Sequence, residues 1–139
     1  MVLSKSIGWL LLTLFVFWDA FLTYQKGAEG NPLWKPLVET FGINALWVLA
    51  LVALVIFYLA VKIFGWITER FEHLPRGEEI VLTNLVIAFA TFDLYITFLL
   101  PYFGYLGSRS HYGILLVLAV PIIIYNLLFE YLRRKGRSK

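Results

Sequence analysis

The sequence contains no cysteine and few charged residues, and both absences restrict what the protein can be. Without cysteine the chain forms no disulfide, offers no thiolate nucleophile and cannot hold a metal through sulfur. Charged residues make up only 15% of the 139 residues, whereas 60% are hydrophobic and 18% are aromatic. With a mean hydropathy of +0.78, the chain is too apolar for an ordinary soluble domain. The composition therefore predicts an integral membrane protein without a separate soluble catalytic domain.

Four apolar runs each approach the roughly 20 residues that a helix needs to cross a bilayer. They cover about residues 7–24, 44–65, 80–100 and 113–132. A shorter segment, about 32–41, follows Asn31, and Asn before Pro is typical of a helix N-terminus, so we expect an interfacial helix there. The predicted fold is an all-α integral membrane protein, a single domain over residues 1–139 with four transmembrane helices arranged as two hairpins.

The distribution of positive charge predicts the orientation in the cell membrane. If the four runs cross in turn, nine of the twelve Lys and Arg residues lie on one side. Positively charged connections remain in the cytoplasm, so both termini are predicted to be cytoplasmic. Five of the nine form a basic C-terminal tail, namely Arg133, Arg134, Lys135, Arg137 and Lys139. This tail is expected to contact anionic lipid headgroups, and no basic surface indicates nucleic-acid binding.

Two acidic residues, Asp19 and Asp93, fall inside apolar runs, where an ionisable group costs roughly 2.5 kcal/mol or more and usually marks a functional site. The residues around Asp19 recur at the same spacing around Asp93. A shift of 74 positions superposes Leu11 on Leu85, Phe15 on Phe89, Asp19 on Asp93 and Thr23 on Thr97. The matches recur every fourth residue and so lie on one helix face. This pattern predicts an internal duplication in which the two hairpins are parallel repeats.

The candidate ligand-binding or ion-binding residues are Asp19, Thr23, Asp93, Thr97, Glu29 and Asn31. If the two repeated faces meet, Asp19 and Asp93 share a site near the outer leaflet. Two carboxylates in a low dielectric cannot both be charged without a proton, a metal ion or a ligand cation between them. The alternative is structural, with each acid hydrogen-bonded and only fixing helix packing. In that case the threonines could bond back to their own helix carbonyls.

A secondary polar cluster is predicted from Asn84, Asn126 and Glu130, near the cytoplasmic ends of the third and fourth runs. These residues could line an inner vestibule with Lys62, or they could form interhelical hydrogen bonds and interfacial anchors. The sequence predicts no catalytic residue, no metal site and no cofactor, since the glycines have no phosphate-binding spacing.

The motif Asp19-x-x-x-Thr23, followed by Glu29-x-Asn31-Pro32 and a long apolar helix, resembles a family of short archaeal and bacterial membrane proteins known only as a domain of unknown function. The resemblance covers about residues 7–66. It implies that a helix end and the following loop act together, with Asp19, Thr23, Glu29 and Asn31 as the marked positions, and it implies no activity. The second half lacks Glu-x-Asn-Pro, so the predicted site is asymmetric and centred on Asp19.

Three functions are compatible with these residues. The leading hypothesis is a small polytopic membrane protein, not an enzyme, that binds or passes a cation, a proton or a small cationic solute near Asp19 and Asp93, and that forms homo-oligomers. The first alternative is an accessory or structural subunit of a membrane complex. The second alternative is a diaspartyl intramembrane hydrolase, although the motifs of known intramembrane aspartyl proteases are absent from the sequence.

Overall fold

The computed structural model describes residues 2–27, 29–99 and 112–137, and within these ranges the protein is helical with no strand. The helices are α1 (Lys5–Lys26), α2 (Lys35–Phe41), α3 (Ala45–Phe71), α4 (Gly77–Leu94) and α5 (Tyr112–Arg137). One turn of π-helix, Tyr95–Leu99, continues α4. The all-α prediction is confirmed.

Three of the predicted spans are confirmed as helices that are long and apolar enough to cross a membrane. They are Lys5–Lys26, Ala45–Phe71 and Gly77–Phe98, so the last includes the start of the π-helical turn. The fourth apolar run lies within α5, which has 26 residues. Its crossing of the membrane and the cytoplasmic position of the termini stay predictions.

The ends of α1 follow from its capping residues. The side chain of Ser4 accepts a hydrogen bond from the backbone N–H of Ile7, at 3.4 Å. At the other end Gly27 has the left-handed φ of 68° and donates its N–H to the carbonyl of Tyr24. Both caps lie outside the predicted run of residues 7–24, so the helix is longer than the run.

The helix α2 begins at Lys35, three residues after the expected start. The side chain of Asn31 does accept from the N–H of Leu33 (3.0 Å), as a capping residue would, and its carbonyl accepts from the N–H of Lys35 (2.8 Å). Residues 32–34 nevertheless form turns rather than regular helix. Pro36, not Pro32, therefore occupies the first helical turn.

The helix α3 continues to Phe71, beyond the end expected near residue 65. The polar residues Thr68, Glu69 and Arg70 contain no helix breaker, and polarity alone does not end a helix. The chain reverses over residues 72–76 instead. There His73 and Arg76 adopt positive φ values of 53° and 68°, on either side of Leu74 and Pro75.

The helix α4 is central and packs against α1, α3 and α5. It runs parallel to α1, because Lys5 pairs with Glu78 and Gly8 contacts Leu82 near the start of both helices. The contact between Gly8 and Leu82 has the same spacing of 74 residues that aligns the two halves of the sequence. The parallel direction expected for these two helices is therefore observed, while the duplication itself stays a prediction.

The helix α3 runs antiparallel to α1. Trp9 contacts Tyr58, with ring centroids 5.9 Å apart, whereas Phe17, two turns further along α1, contacts Trp47 near the start of α3 (6.5 Å). The core between α1, α3 and α4 consists of Leu12, Val16, Ala20, Ala50, Val61, Leu82 and Val86. On α3, Val55 is 60% exposed, as expected for a side chain that faces lipid.

The bundle is closed at one end by a group that we name the paired end, comprising Lys5, Lys62, Glu69, Gly77 and Glu78. Glu78 forms ion pairs of 2.9 Å with both Lys5 and Lys62, and so links three helices. Glu69 accepts the backbone N–H of Gly77 (2.8 Å) and caps the start of α4. A Cβ atom at Gly77 would overlap the carbonyl oxygen of Gly65, so this helix contact requires glycine.

Candidate functional site

One cavity of the bundle, which we name the first cavity, has a volume of about 610 Å³ and lies between α1, α3, α4, α5 and the loop before α2. Its polar lining is Asp19, Thr23, Lys26, Glu29 and Asn31. The four residues that the sequence motif marks in the first hairpin thus border one space, together with Lys26, which the motif did not include. The remaining lining is mostly apolar and includes Phe57, Phe89 and Phe92.

Asp19 is partly buried in this first cavity. Its electrostatic neighbours are Glu29 and Lys26. None of the ion pairs within 4.0 Å in the described ranges involves Asp19. The first cavity therefore contains an acidic group whose charge is not matched by a bound basic side chain.

Two loop residues shape the mouth of the first cavity. The carboxylate of Glu29 accepts the backbone N–H of Asn31 at 2.6 Å, and the side chain of Asn31 accepts the N–H of Leu33 at 3.0 Å. These bonds hold the turn that connects α1 to α2. Because both side chains also line the cavity, the loop is part of the site rather than a separate connection.

Asp93 lines a second cavity of about 480 Å³. Asp93 is only 5% exposed. Within the described ranges, neither carboxylate oxygen of Asp93 has a hydrogen-bond partner, and the same is true of the buried hydroxyl of Thr97. The other lining residues are apolar or aromatic, namely Leu14, Phe15, Trp18, Ala90, Leu94 and Phe98.

The structure places Asp19 and Asp93 in separate cavities, although the sequence predicted a shared site. Among the described residues, the two cavities have no lining residue in common. On α1 the most buried face is Gly8, Leu12, Val16 and Ala20, one position further along the chain than the repeated face. Since one residue corresponds to a rotation of about 100° in a helix, the repeated face lies at the edge of the buried face, where Phe15 lines the second cavity and Asp19 lines the first. The carboxylates remain close enough to interact electrostatically.

The π-helical turn that begins immediately after Asp93 was not predicted by the sequence. It spans Tyr95–Leu99 and contains Thr97. Turns of this kind are rare in proteins, and those that do occur are often found at functional sites. Hydrophobic periodicity gives no signal for such a short segment, since five residues cannot separate a π-helical repeat from an α-helical one.

The secondary polar cluster forms an interhelical contact. Asn126 donates to Asn84 at 2.9 Å, and Asn84 donates back at 3.4 Å. Glu130 instead pairs with Arg133 and Arg134 on its own helix, at 2.7 and 2.9 Å. Lys62 pairs with Glu78. Of the two roles expected for the asparagines, the structure therefore favours hydrogen bonding between α4 and α5 over a common vestibule.

No family model, curated protein or solved structure matches this chain. The resemblance of the first hairpin to a family of unknown function stays a prediction. Within the described ranges, no group of three or more His, Cys, Asp or Glu residues is placed to hold a metal ion.

Proposed function

We propose that the protein binds a small, largely apolar organic cation in the first cavity, with Asp19 as its counter-ion. The observation that carries the proposal is a carboxylate with no ion-pair partner in a mostly apolar cavity of about 610 Å³. This volume lies within the range of about 300–1,000 Å³ typical of small-molecule sites. A cationic ligand would supply the missing charge and would cover the apolar wall.

The lining favours an organic cation over a hard metal ion. Ca²⁺ and Mg²⁺ require about six or more oxygen ligands, including waters. Apart from the oxygens of Asp19, Thr23, Glu29 and Asn31, the first cavity is lined mainly by apolar side chains, including Phe57, Phe89 and Phe92. Within the described ranges no three His, Cys, Asp or Glu residues are placed to hold a metal ion. Aromatic faces attract ammonium and similar cations when water is excluded, by about 0.5–2 kcal/mol per contact. Asp19 would orient the bound cation, and the aromatic rings would increase its affinity.

The binding test uses tetraphenylphosphonium, whose positive charge does not depend on pH, and the full chain in lipid nanodiscs. Trp34 lines the first cavity, so tryptophan fluorescence reports occupancy. We expect Asp19→Asn to weaken binding at least tenfold, because it removes the counter-ion. The matched control is Glu39→Gln, which removes an exposed carboxylate of α2 and should bind as the wild type does. Equal affinities for Asp19→Asn and the wild type would refute the proposal.

We also propose that α5 is a fourth transmembrane span and that both termini are cytoplasmic. The length of α5, its packing on α4 and the distribution of Lys and Arg support this topology. Because the chain has no cysteine, single cysteines can be labelled from either side of a sealed vesicle. Cysteines at Ser4, Glu72 and Lys139 should react from the cytoplasmic side and one at Gly30 from the opposite side. Labelling of Ser4 and Lys139 positions from opposite sides would contradict four spans.

The basic C-terminal tail supports a contact with anionic lipid headgroups. Lys135 is exposed, while Arg133 and Arg134 are both held by Glu130. The side chain of Arg137 and the whole of Lys139 lie outside the described residues. A homo-oligomer, in which copies pair through the lipid-facing surface of the bundle, completes the proposed assembly.

A further inference from the structure

The second cavity contains three buried oxygen atoms that have no hydrogen-bond partner within the described ranges. They are both carboxylate oxygens of Asp93 and the hydroxyl oxygen of Thr97, and both residues line the cavity. Asp93 is more than nine-tenths buried. Buried polar atoms normally have partners, because leaving them unpaired costs free energy. A ligand that donates hydrogen bonds inside the second cavity would supply the partners.

The π-helical turn leaves the hydroxyl of Thr97 available to such a ligand. Earlier in α4, Thr83 and Thr91 each donate to the backbone carbonyl four residues before them, at 2.7 and 2.8 Å. Thr97 lies in the π-helical turn and makes no such bond. The change in helix type therefore coincides with a threonine whose hydroxyl faces the second cavity instead of its own backbone.

The second cavity lies between α1 and α4 and is open towards lipid. Four of its lining residues are 48–60% exposed, namely Leu14, Trp18, Leu94 and Phe98. No described residue of α3 or α5 contributes to the lining. Since α1 and α4 are long and apolar enough to cross a membrane, the exposed side of this cavity faces acyl chains. A ligand would enter the second cavity from within the bilayer.

The depth of Asp93 favours an amphiphilic ligand. Asp93 follows Glu78 of the paired end by 15 residues. At 1.5 Å per residue it lies about 22 Å along α4, in a hydrocarbon layer about 30 Å thick. Asp93 is thus nearer to the interface opposite the paired end. A molecule with a polar head at that level can keep its hydrocarbon chain in the bilayer.

We propose that the second cavity binds the head of a membrane-dissolved primary alkylammonium, with Asp93 as its counter-ion. A primary ammonium has three N–H donors, and the cavity offers three unpartnered acceptors on Asp93 and Thr97. The rings of Phe15, Trp18 and Phe98 add the attraction of aromatic faces for a cation from which water is excluded. The volume of about 480 Å³ is typical of small-molecule sites. This second site does not depend on occupancy of the first cavity.

The test uses dodecylamine and the full chain in lipid nanodiscs, before and after saturation with tetraphenylphosphonium, the probe of the first cavity. Trp18 lines the second cavity, so the fluorescence change that is lost in Trp18→Phe reports occupancy there. Asp93→Asn should weaken binding by about tenfold or more, because it removes the counter-ion. Thr97→Val, which keeps the shape and removes one acceptor, should weaken it by about threefold or more. Glu39→Gln, the loss of an exposed acid, should bind as the wild type does.

The chemistry of the head group is tested with two probes of the same chain length. Dodecanol has a single O–H donor and no charge, and dodecyltrimethylammonium has the charge but no N–H donor. Both should bind by about tenfold or more less tightly than dodecylamine. Equal affinity for either probe would refute the primary ammonium as the ligand.

The remaining outcomes separate this proposal from the proposed function. If tetraphenylphosphonium does not bind, the proposed function fails, and dodecylamine binding still decides the second site. If tetraphenylphosphonium displaces dodecylamine, the second site is refuted as a separate site. Equal affinities for Asp93→Asn and the wild type would also refute it. Should Asp93→Asn fail to fold, Asp93→Leu takes its place, since an apolar side chain needs no hydrogen bond there, and undiminished binding would equally overturn the proposal.

Discussion

The two ends of the bundle differ in whether their polar side chains have hydrogen-bond or ion-pair partners. At the paired end, Glu78 is bound by Lys5 and Lys62, and Glu69 accepts the N–H of Gly77. At the other end, Asp93 and Thr97 are buried without a hydrogen-bond partner in the described ranges, and Asp19 has no ion pair there. Both ends contain acids, and α4 contributes one to each, Glu78 and Asp93, so residue type alone does not separate the two ends.

The comparison separates polar residues that have partners in the fold from those that do not. A buried group that has its partners stabilises the packed state, whereas an unpartnered one costs free energy. Such a cost persists at functional sites, where the missing partner is a ligand or a proton. We therefore propose that the paired end stabilises the fold and that the end with the two cavities binds the ligand.

The largest effect should come from the close helix contact at the paired end. Gly77→Ala places a methyl group against the carbonyl oxygen of Gly65, and backbone atoms cannot move aside as a flexible side chain can. We expect a loss of about 3 kcal/mol of stability, at the upper end of overpacking costs. Thermal unfolding in detergent, followed by size-exclusion chromatography, would measure it. Val55→Ile, a methylene added where α3 is 60% exposed, should change little.

Substitutions at two positions of α4 should change the stability by intermediate amounts and in opposite directions. Asn84→Leu leaves the amide of Asn126 without its partner on α4, with only the carbonyl of Ile122 still accepting from it, and should destabilise by about 1–2 kcal/mol. Asp93→Leu removes an unpartnered buried acid and should stabilise by about 1 kcal/mol or more. The same thermal unfolding assay decides both. Destabilisation by both substitutions would show that Asp93 has a structural partner and would remove the contrast between the two ends.

The double substitution of Asn84 and Asn126 by Leu controls this prediction. Because it removes both hydrogen-bonding groups together, it should recover much of the stability lost in Asn84→Leu alone. A double variant that is less stable than either single variant would mean that shape, rather than hydrogen bonding, sets the requirement for asparagine at these positions.

The smallest effect should come from the ion pairs of Glu78. Its partners Lys5 and Lys62 have side chains that are 55% and 47% exposed, so solvent screens both pairs. Glu78→Gln should therefore cost about 1 kcal/mol or less, and high salt should bring the wild type towards the variant. Unfolding in low and high salt measures the difference. A salt-independent loss of several kcal/mol would indicate packing rather than charge.

The sequence was informative wherever the pattern repeated over many residues. Long apolar runs predicted the three observed membrane-type helices, and the spacing of 74 residues between Gly8 and Leu82 reappears as the register of α1 against α4. Short features were less predictable. The helix α3 continues beyond the predicted end to Phe71. The turn that follows it contains His73 and Arg76, both with positive φ.

The sequence by itself determined that the protein is apolar and helical and that acids occur within its apolar runs, because these are properties of composition and local spacing. The grouping of Asp19, Thr23, Glu29 and Asn31 was implied by the resemblance of the first hairpin, and the structure places all four on one cavity. Only the tertiary structure decided that Asp19 and Asp93 line separate cavities. The packing of Gly8, Leu12, Val16 and Ala20 against neighbouring helices sets the rotation of α1, and with that rotation Asp19 lines the first cavity while Phe15 and Trp18 line the second. Such a rotation depends on contacts between helices that are distant in sequence.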